Sequence, residues 1–281
     1  MRIQRLGRKS GAFLVEILLR SPYAVADRWR GRFERAAASG DEAGLKGLFL
    51  PDSHWRDVLA LTWRIATVSG REAIVSALKG MRAHGFRIDP ARTAPREATR
   101  AGEKCVEAIF HFEAQAGAGA GVLRLKDDKA WTFLTALEEL KGHEELTGSR
   151  RPLGFSYSRE FGGPNWLDLR RKKTAFEADD PAVLIVGGGQ AGLSLAARLA
   201  PLGVDALVVD RWPRVGDNWR RRYHALTLHN QVHVNHLPYM PFPPGWPVYI
   251  PKDKLAGWFE SYVEAMELNY WTGTEFLGGA Y

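Results

Sequence analysis

The stretch Ala182-Val183-Leu184-Ile185-Val186-Gly187-Gly188-Gly189-Gln190-Ala191-Gly192 decides how the second half of this chain is read. A continuous apolar run rich in β-branched residues predicts a strand buried on both faces. It leads straight into a G-x-G-x-x-G. Behind that, Leu193, Ala196, Ala197, Leu199 and Ala200 fall on the packed side of a predicted helix ending at Gly203, and Ala206-Leu207-Val208-Val209 predicts a second buried strand leading to Asp210. Each part has a job in holding a dinucleotide. Gly187 permits the tight strand-to-helix turn, Gly189 lets a pyrophosphate approach the backbone, and Gly192 lets the helix pack closely on the strand. Across Gln190 and Ala191 the free amides and positive dipole end of the helix face the phosphates. Asp210, eighteen residues past Gly192, is placed to accept hydrogen bonds from a ribose. Glycines alone would say little, but strand, glycines, helix, strand and acid in this order predict a dinucleotide-binding α/β unit.

The chain has 281 residues, enough for two domains, with 45% hydrophobic and 25% charged residues. That balance excludes a disordered or collagen-like chain. Its one cysteine, Cys105, excludes both a disulfide scaffold and a thiol-pair redox centre, and fits a reducing, cytoplasmic setting. No run approaches the roughly 18 apolar residues of a membrane span. Arg2, Arg5, Arg8 and Lys9 precede the apolar stretch from Gly11 to Leu19, but Glu16 interrupts it and no small-residue cleavage site follows, so residues 1–20 are read as an N-terminal extension rather than a signal peptide. The net charge of +7 is concentrated at this end: residues 1–40 hold nine Lys/Arg against three Asp/Glu. No aromatic residues interleave these charges in a stacking pattern, so neither nucleic acid nor a membrane is expected as a partner.

The first half has its own pattern. Ser21-Pro22 opens a helix whose Val25, Trp29, Phe33 and Ala36 form one stripe, ending near Gly40. Asp41 caps a short second helix carrying Leu45, Leu48 and Phe49 and closed by Pro51, and His54 to Leu61 reads as a strand. Ser69-Gly70-Arg71-Glu72 reads as a capping box opening a helix with Ile74, Leu78 and Met81 that ends at Gly85. Val106 to Phe112, Gly121 to Leu125 and Trp131 to Leu140 read as successive strands. Three helices and then an antiparallel meander make an α+β unit. Gly40-Asp41, Leu48-Phe49-Leu50-Pro51-Asp52-Ser53, Trp55-Arg56-Asp57 and Ser69-Gly70-Arg71-Glu72-Ala73-Ile74 resemble the NTF2-like (SnoaL-like) fold, a curved sheet wrapped around a long helix, which is assigned to residues 21–140. Fold does not settle function here. The resemblance leaves room for a binding or dimerisation module, and His54 with Asp57 is a candidate acid/base pair facing a pocket, against the plainer alternative of a polar strand edge.

Residues 141–178, with Arg150-Arg151-Pro152, Gly162-Gly163-Pro164 and Arg170-Arg171-Lys172-Lys173, carry no apolar period and read as a linker, or a strap across the next domain. An acid at position 210 favours a free 2′-hydroxyl, hence FAD or NAD, although Arg211 blurs that preference. After it come Arg214-Val215-Gly216-Asp217-Asn218-Trp219, Arg220-Arg221-Arg222-Tyr223, Leu237-Pro238-Tyr239-Met240-Pro241-Phe242-Pro243 and a predicted helix from Lys252, with Leu255, Trp258, Phe259, Tyr262, Val263 and Met266 on one stripe. With these residues the segment from 181 to 281 resembles the FAD-binding first half of flavin-containing monooxygenases, most closely the YUCCA type and its bacterial relatives.

The resemblance implies an α+β NTF2-like cone followed by an incomplete α/β Rossmann-type FAD-binding domain over residues 179–281. It implies that Gly187 to Gly192 hold the FAD pyrophosphate and Asp210 the adenosine ribose. The Gly216–Trp219 loop is implied to lie near the flavin, with Asn218 and Trp219 against the cofactor, Arg220 to Arg222 holding the loop or neutralising phosphates, and His229 a candidate hydrogen-bond partner. His224, His229, His233 and His236 are close in sequence, but with no cysteine nearby and Pro238 in an irregular loop they read as part of that loop and no metal is expected. The family reduces its flavin with NADPH at a second glycine-rich turn and oxygenates a small organic substrate through a C4a-hydroperoxyflavin. No such turn appears before Tyr281, so the chain is read as a fragment or truncated product, inactive alone, with no side chain nameable as a catalytic acid or base. A disulfide reductase would need a cysteine pair after Asp210. The alternative function is an NTF2-like module, with a possible homodimer through it and a vestigial nucleotide fold attached.

Overall fold

The computed structural model describes residues 20–154 and 162–279; the basic and apolar N-terminal stretch lies outside them. The chain divides into two compact units, one ending at Glu144 and the other beginning at Glu145.

In the first unit, helix α1 (Pro22–Ser39) begins with Ser21 accepting from the Ala24 amide and ends at Gly40, whose φ of 68° closes the last turn. Its buried side is Ala26, Trp29, Phe33 and Ala36, a spacing of three and four that sets one face against the sheet. Helix α2 (Glu42–Leu48) is capped by Asp41. Strand β1 (Phe49–Val58) starts earlier than expected and runs through Pro51, where the pairing register with a neighbouring strand shifts between Phe49 and His54. A residue without an N–H is tolerated at such an irregularity. Strand β2 (Ile65–Ser69), helix α3 (Arg71–Leu78), β3 (Ala83–Ile88), β4 (Arg96–Arg100), β5 (Glu103–Ala114), β6 (Gly117–Lys126) and β7 (Lys129–Leu140) complete the unit. The sheet order is β2-β1-β7-β6-β5-β3, with β4 also on β5, and the β1–β7 pair is parallel.

Trp29 and Phe33 of α1 meet Phe49, Phe86 and Phe133 of the sheet at centroid distances of 5.2–6.3 Å. This is the mixed sheet folded about one long helix that the NTF2-like resemblance implies. The strand expected from Gly121 already begins at Gly117: side chains at Gly119 and Gly121 would lie 2.4 Å and 2.2 Å from Phe112 and Phe110, so the glycines make room for the aromatic core.

Three sequence expectations are corrected. Ser69 does not open a capping box: Gly70 is the N-cap of α3 with no side-chain cap, and the Ser69 hydroxyl is 2.8 Å from His54 Nδ1 across the β1–β2 pair. Helix α3 stops at Leu78, and the segment read as its end forms β3. His54 and Asp57 are not an acid/base pair, because residues three apart on a strand point to opposite faces. His54 is exposed, whereas Asp57 is 1% exposed. It accepts from Leu61 N–H, Thr62 N–H, the Thr62 hydroxyl and the Thr135 hydroxyl. It clamps the β1–β2 loop, where Leu59 and Trp63 adopt positive φ.

Glu107 is nearly buried and takes ion pairs from Arg96, Arg100 and Arg124 at 3.0, 2.7 and 2.8 Å. The Arg100 hydrogen bonds, with those of Arg124 and Arg96, hold its carboxyl down to about 2 from the ordinary 4.5. A depressed folded value means stabilisation that is full above pH ~4.5 and lost as pH falls toward 2. With the arginines partly solvated, about 1–3 kcal/mol is expected. Thermal unfolding followed from pH 6 to pH 2 should show the loss, and Glu107→Gln should remove that part of the slope.

In the second unit, helix α4 (Trp166–Ala175) occupies part of the stretch read as linker. A reciprocal capping box of Asn165 and Asp168 starts it, and none of its residues is buried, so it leaves no apolar period to read. Strand β8 (Val183–Val186), helix α5 (Gln190–Leu199), β9 (Ala206–Val209), helix α6 (Asp217–Arg220), helix α7 (Lys252–Ala265) and β10 (Asn269–Trp271) follow. The sheet is parallel, in the order β10-β9-β8. Strand β9 is buried throughout, but β8 is not buried on both faces: Ile185 packs under α5 while Leu184 and Val186 are 46% and 59% exposed. Alternate residues face opposite sides, and among the described residues only the helix side of β8 is covered. The core joins Ile185, Leu193, Ala197 and Val208 to Leu255, Phe259 and Tyr262 of α7.

Candidate dinucleotide-binding site

The site is a bend between β8 and α5. Gly187 turns the chain with a φ of 102° and donates to the Val209 carbonyl at 2.9 Å, tying the bend to the end of β9. No other residue type takes that backbone without strain. Gly189 is the N-cap of α5 and has no side chain to satisfy the first turn. The first intrahelical bond runs from Leu193 N–H to Gly189 O, so the amides of Gln190, Ala191 and Gly192 have no helical partner, and both Gln190 and Ala191 are exposed. A side chain on Gly192 would begin 2.1 Å from the Gly187 carbonyl oxygen, so the helix meets the bend backbone to backbone.

Asp210 closes the bend. Its Oδ2 accepts from Gly188 N–H at 2.7 Å and its Oδ1 from Trp212 N–H at 2.9 Å. Gly188 has a reason of its own to be glycine that the motif does not reveal: an ideal Cβ there would sit 1.7 Å from the Tyr270 hydroxyl. Burial, and then the Asp210 charge and hydrogen bonding to it, push the Tyr270 phenol well above its usual value. Arg211 is exposed and lies over the Trp212 ring at 4.8 Å, with Arg221 over the same ring at 4.0 Å.

The loop carrying Asn218 and Trp219 is held from behind. Gly216, at φ 84°, lies so close to α7 that a side chain would begin 2.5 Å from the Ala256 carbonyl. Arg220 turns inward, donating to the Val215 carbonyl at 2.7 Å and pairing with Asp217 and Glu260 at 3.1 Å each. Lys252, only 5% exposed, donates to the Arg220 carbonyl at 2.9 Å. Of the three arginines, Arg220 therefore holds the loop, while Arg221 and Arg222 lie over Trp212 and Trp219. Held this way, Asn218 Nδ2 comes 3.3 Å from the place a Gly189 side chain would take. Among the described residues, Asn218 Oδ1 and Trp219 Nε1 are buried without hydrogen-bond partners. A buried orphaned acceptor on a side chain that reaches a bend stripped of side chains is what a polar ligand would satisfy. The residues present therefore fit a dinucleotide.

His229 is exposed next to the Thr227–Pro251 bridge, and no hydrogen bond joins it to the bend. His224 and His233 are likewise exposed, and His236 Nδ1 accepts from Phe242 N–H at 3.0 Å. Among the described residues no group of three His, Cys, Asp or Glu is placed to hold a metal ion, and no described helix is long and apolar enough to cross a membrane.

Residues 180–230 match a family model described as an FAD binding domain. The indole-3-pyruvate monooxygenase YUCCA1 of Oryza sativa subsp. japonica is 41% identical over 86 residues, covering 30% of this chain and 21% of that protein. An uncharacterized CzcO-like oxidoreductase of Geobacillus kaustophilus is 34% identical over 98 residues, 34% of this chain and 27% of its own. Among solved structures, a flavin-containing monooxygenase from Stenotrophomonas maltophilia superposes on 32% of this chain and 27% of its own, with TM-score 0.29 and 23% identity. An NTF2-like protein of unknown function from Cytophaga hutchinsonii superposes on 42% of this chain and 90% of its own, with TM-score 0.29 and 9% identity. Superpositions at this level carry nothing about activity. The chain spans about a fifth of the length of the YUCCA1 monooxygenase it matches; within that span it is similar to flavin monooxygenases, and the segment that forms the bend is similar to an FAD binding domain.

Proposed function

We propose that this chain is the FAD-holding part of an NADPH-dependent flavin monooxygenase acting on a small organic substrate. The observation that carries the reading is the bend itself: three amides without helical partners at the start of α5, no side chain on Gly187 or Gly189, and the Asp210 carboxylate fixed at the end of the neighbouring strand. The amides of Gln190, Ala191 and Gly192 bind the pyrophosphate, with the helix dipole behind them. Asp210 accepts from the adenosine ribose. Asn218 and Trp219 supply the acceptor and donor that orient the rest of the cofactor and keep water from it. FAD, when bound, supplies the electron transfer and oxygen activation that no side chain provides. NADPH as the reductant rests on the family resemblance alone. Self-association, the second reading, is placed on the first unit's sheet, where Ile109, Val122 and Leu134 pair in register on the face opposite Phe110 and Phe133; sedimentation of the purified chain reads it.

The test is flavin selectivity. The full 281-residue chain should quench FAD fluorescence on binding and ignore FMN and riboflavin, which lack the ADP half. Equal binding of FAD and FMN would reject the bend as the site.

A further inference from the structure

Tyr270 stands outside the glycine bend and the eighteen-residue spacing, yet it touches both. It is the middle residue of β10, paired with Val208. Its hydroxyl fills the space where a side chain on Gly188 would begin, and it faces the carboxylate that the Gly188 amide holds at 2.7 Å. Both of its neighbours are tied down. Asn269 accepts from Arg170 of α4, and Trp271 Nε1 donates to the Thr174 carbonyl at 2.8 Å. The Asp210 amide in turn donates to the Trp271 carbonyl at 3.0 Å. With its pKa raised, the phenol stays protonated at neutral pH and remains a donor.

A carboxylate offers about four acceptor positions. The Gly188 and Trp212 amides take two, one on each oxygen, and the Tyr270 hydroxyl, packed against Gly188, narrows what is left on the Oδ2 side. A free Asp rotor would point its oxygens anywhere; this one cannot.

We propose that Tyr270 is a positioning residue that locks Asp210 in the single orientation able to receive the ribose 2′-hydroxyl, so that preference for ribose over deoxyribose depends on a residue sixty positions downstream. The proposal rests on the FAD reading and adds the residue that sets its nucleotide specificity.

The experiment is calorimetric titration of the full chain with ADP and with 2′-deoxy-ADP, in wild type, Tyr270→Phe, Asp210→Asn and the double variant, each checked for its thermal transition. Wild type should prefer ADP by about tenfold, the value of one charge-assisted hydrogen bond. Tyr270→Phe should reduce the preference to about twofold by weakening ADP while leaving 2′-deoxy-ADP nearly unchanged. Asp210→Asn should lose the same preference, and adding Tyr270→Phe to it should change nothing further. A merely structural tyrosine would weaken both nucleotides alike, and that result overturns the proposal, as does an unchanged preference in Tyr270→Phe. Should Tyr270→Phe fail to fold, a retained preference in Asp210→Asn overturns it equally. Wild-type protein that binds neither nucleotide is a different outcome: it overturns the FAD reading and the proposal with it.

Discussion

Gly192→Ala is expected to abolish FAD retention and to lower the stability of the second unit by about 3 kcal/mol or more, while the unfolding of the first unit stays where it is. Alanine inside a helix ordinarily gains up to about 1 kcal/mol over glycine. Here that gain is overruled, because the new methyl would stand 2.1 Å from the Gly187 carbonyl oxygen and 3.2 Å from Ile185. The nearest obstacle is backbone, and it belongs to the bend that carries the site. Helix α5 can only move outward, which drags its first-turn amides off the position a pyrophosphate would occupy. Scanning calorimetry with and without FAD checks both halves of the expectation.

Gly188→Ala is expected to be nearly as damaging, about 2–4 kcal/mol, but for a different reason and with a different cure. Its φ is not in the left-handed region, so the backbone accepts alanine. What the methyl meets is one side chain, the Tyr270 ring and hydroxyl at 1.7–2.5 Å. Tyr270→Ala in the same chain removes that obstacle. The double variant should therefore be more stable than the two single losses combined imply, by about 1.5 kcal/mol or more of coupling. Additive losses in urea titration would mean that Tyr270 does not lie against the bend. No trimming of a neighbour can rescue Gly192→Ala in the same way, so the pair of experiments separates a backbone contact from a side-chain contact within one motif.

The contrast between these glycines marks how far the sequence can be read. Gly187, Gly189, Gly192 and Asp210 were legible because the turn, the helix start and the crossover are local, and their spacing is set by one strand, one helix and one more strand. The motif gives Gly188 no role of its own, because the reason for it sits on β10. Lys252 was equally opaque: it closes the Asn218–Trp219 loop across more than thirty positions, and nothing at its position announces a buried charge. Arg220 reads as one of three arginines that hold the loop or neutralise phosphates, and packing shows that it is the one turned inward to hold the loop.

The first half behaved similarly. The aromatic core strands and the long helix were legible from period and caps. Strand β4, Arg96-Glu97-Ala98-Thr99-Arg100, was not, since its charged residues reach for Glu107 rather than alternating with apolar ones. Helix α4 carries no apolar stripe because nothing on it is buried. The Asn165 and Asp168 capping pair was the one available signal. His54 with Asp57 could have been discounted from the sequence alone, because once the segment is a strand, a separation of three places them on opposite faces.

The central claim is that the backbone amides of residues 190–192, together with the Asp210 carboxylate, hold the diphosphate and ribose of an adenine dinucleotide. Isothermal titration of the full chain with ADP, repeated on Asp210→Ala, tests it most directly. The structure predicts one-to-one binding that FAD abolishes by competition and that weakens at least tenfold in the variant, about 1.4 kcal/mol. Absence of ADP and FAD binding in folded wild-type protein, or undiminished binding by Asp210→Ala, would contradict it.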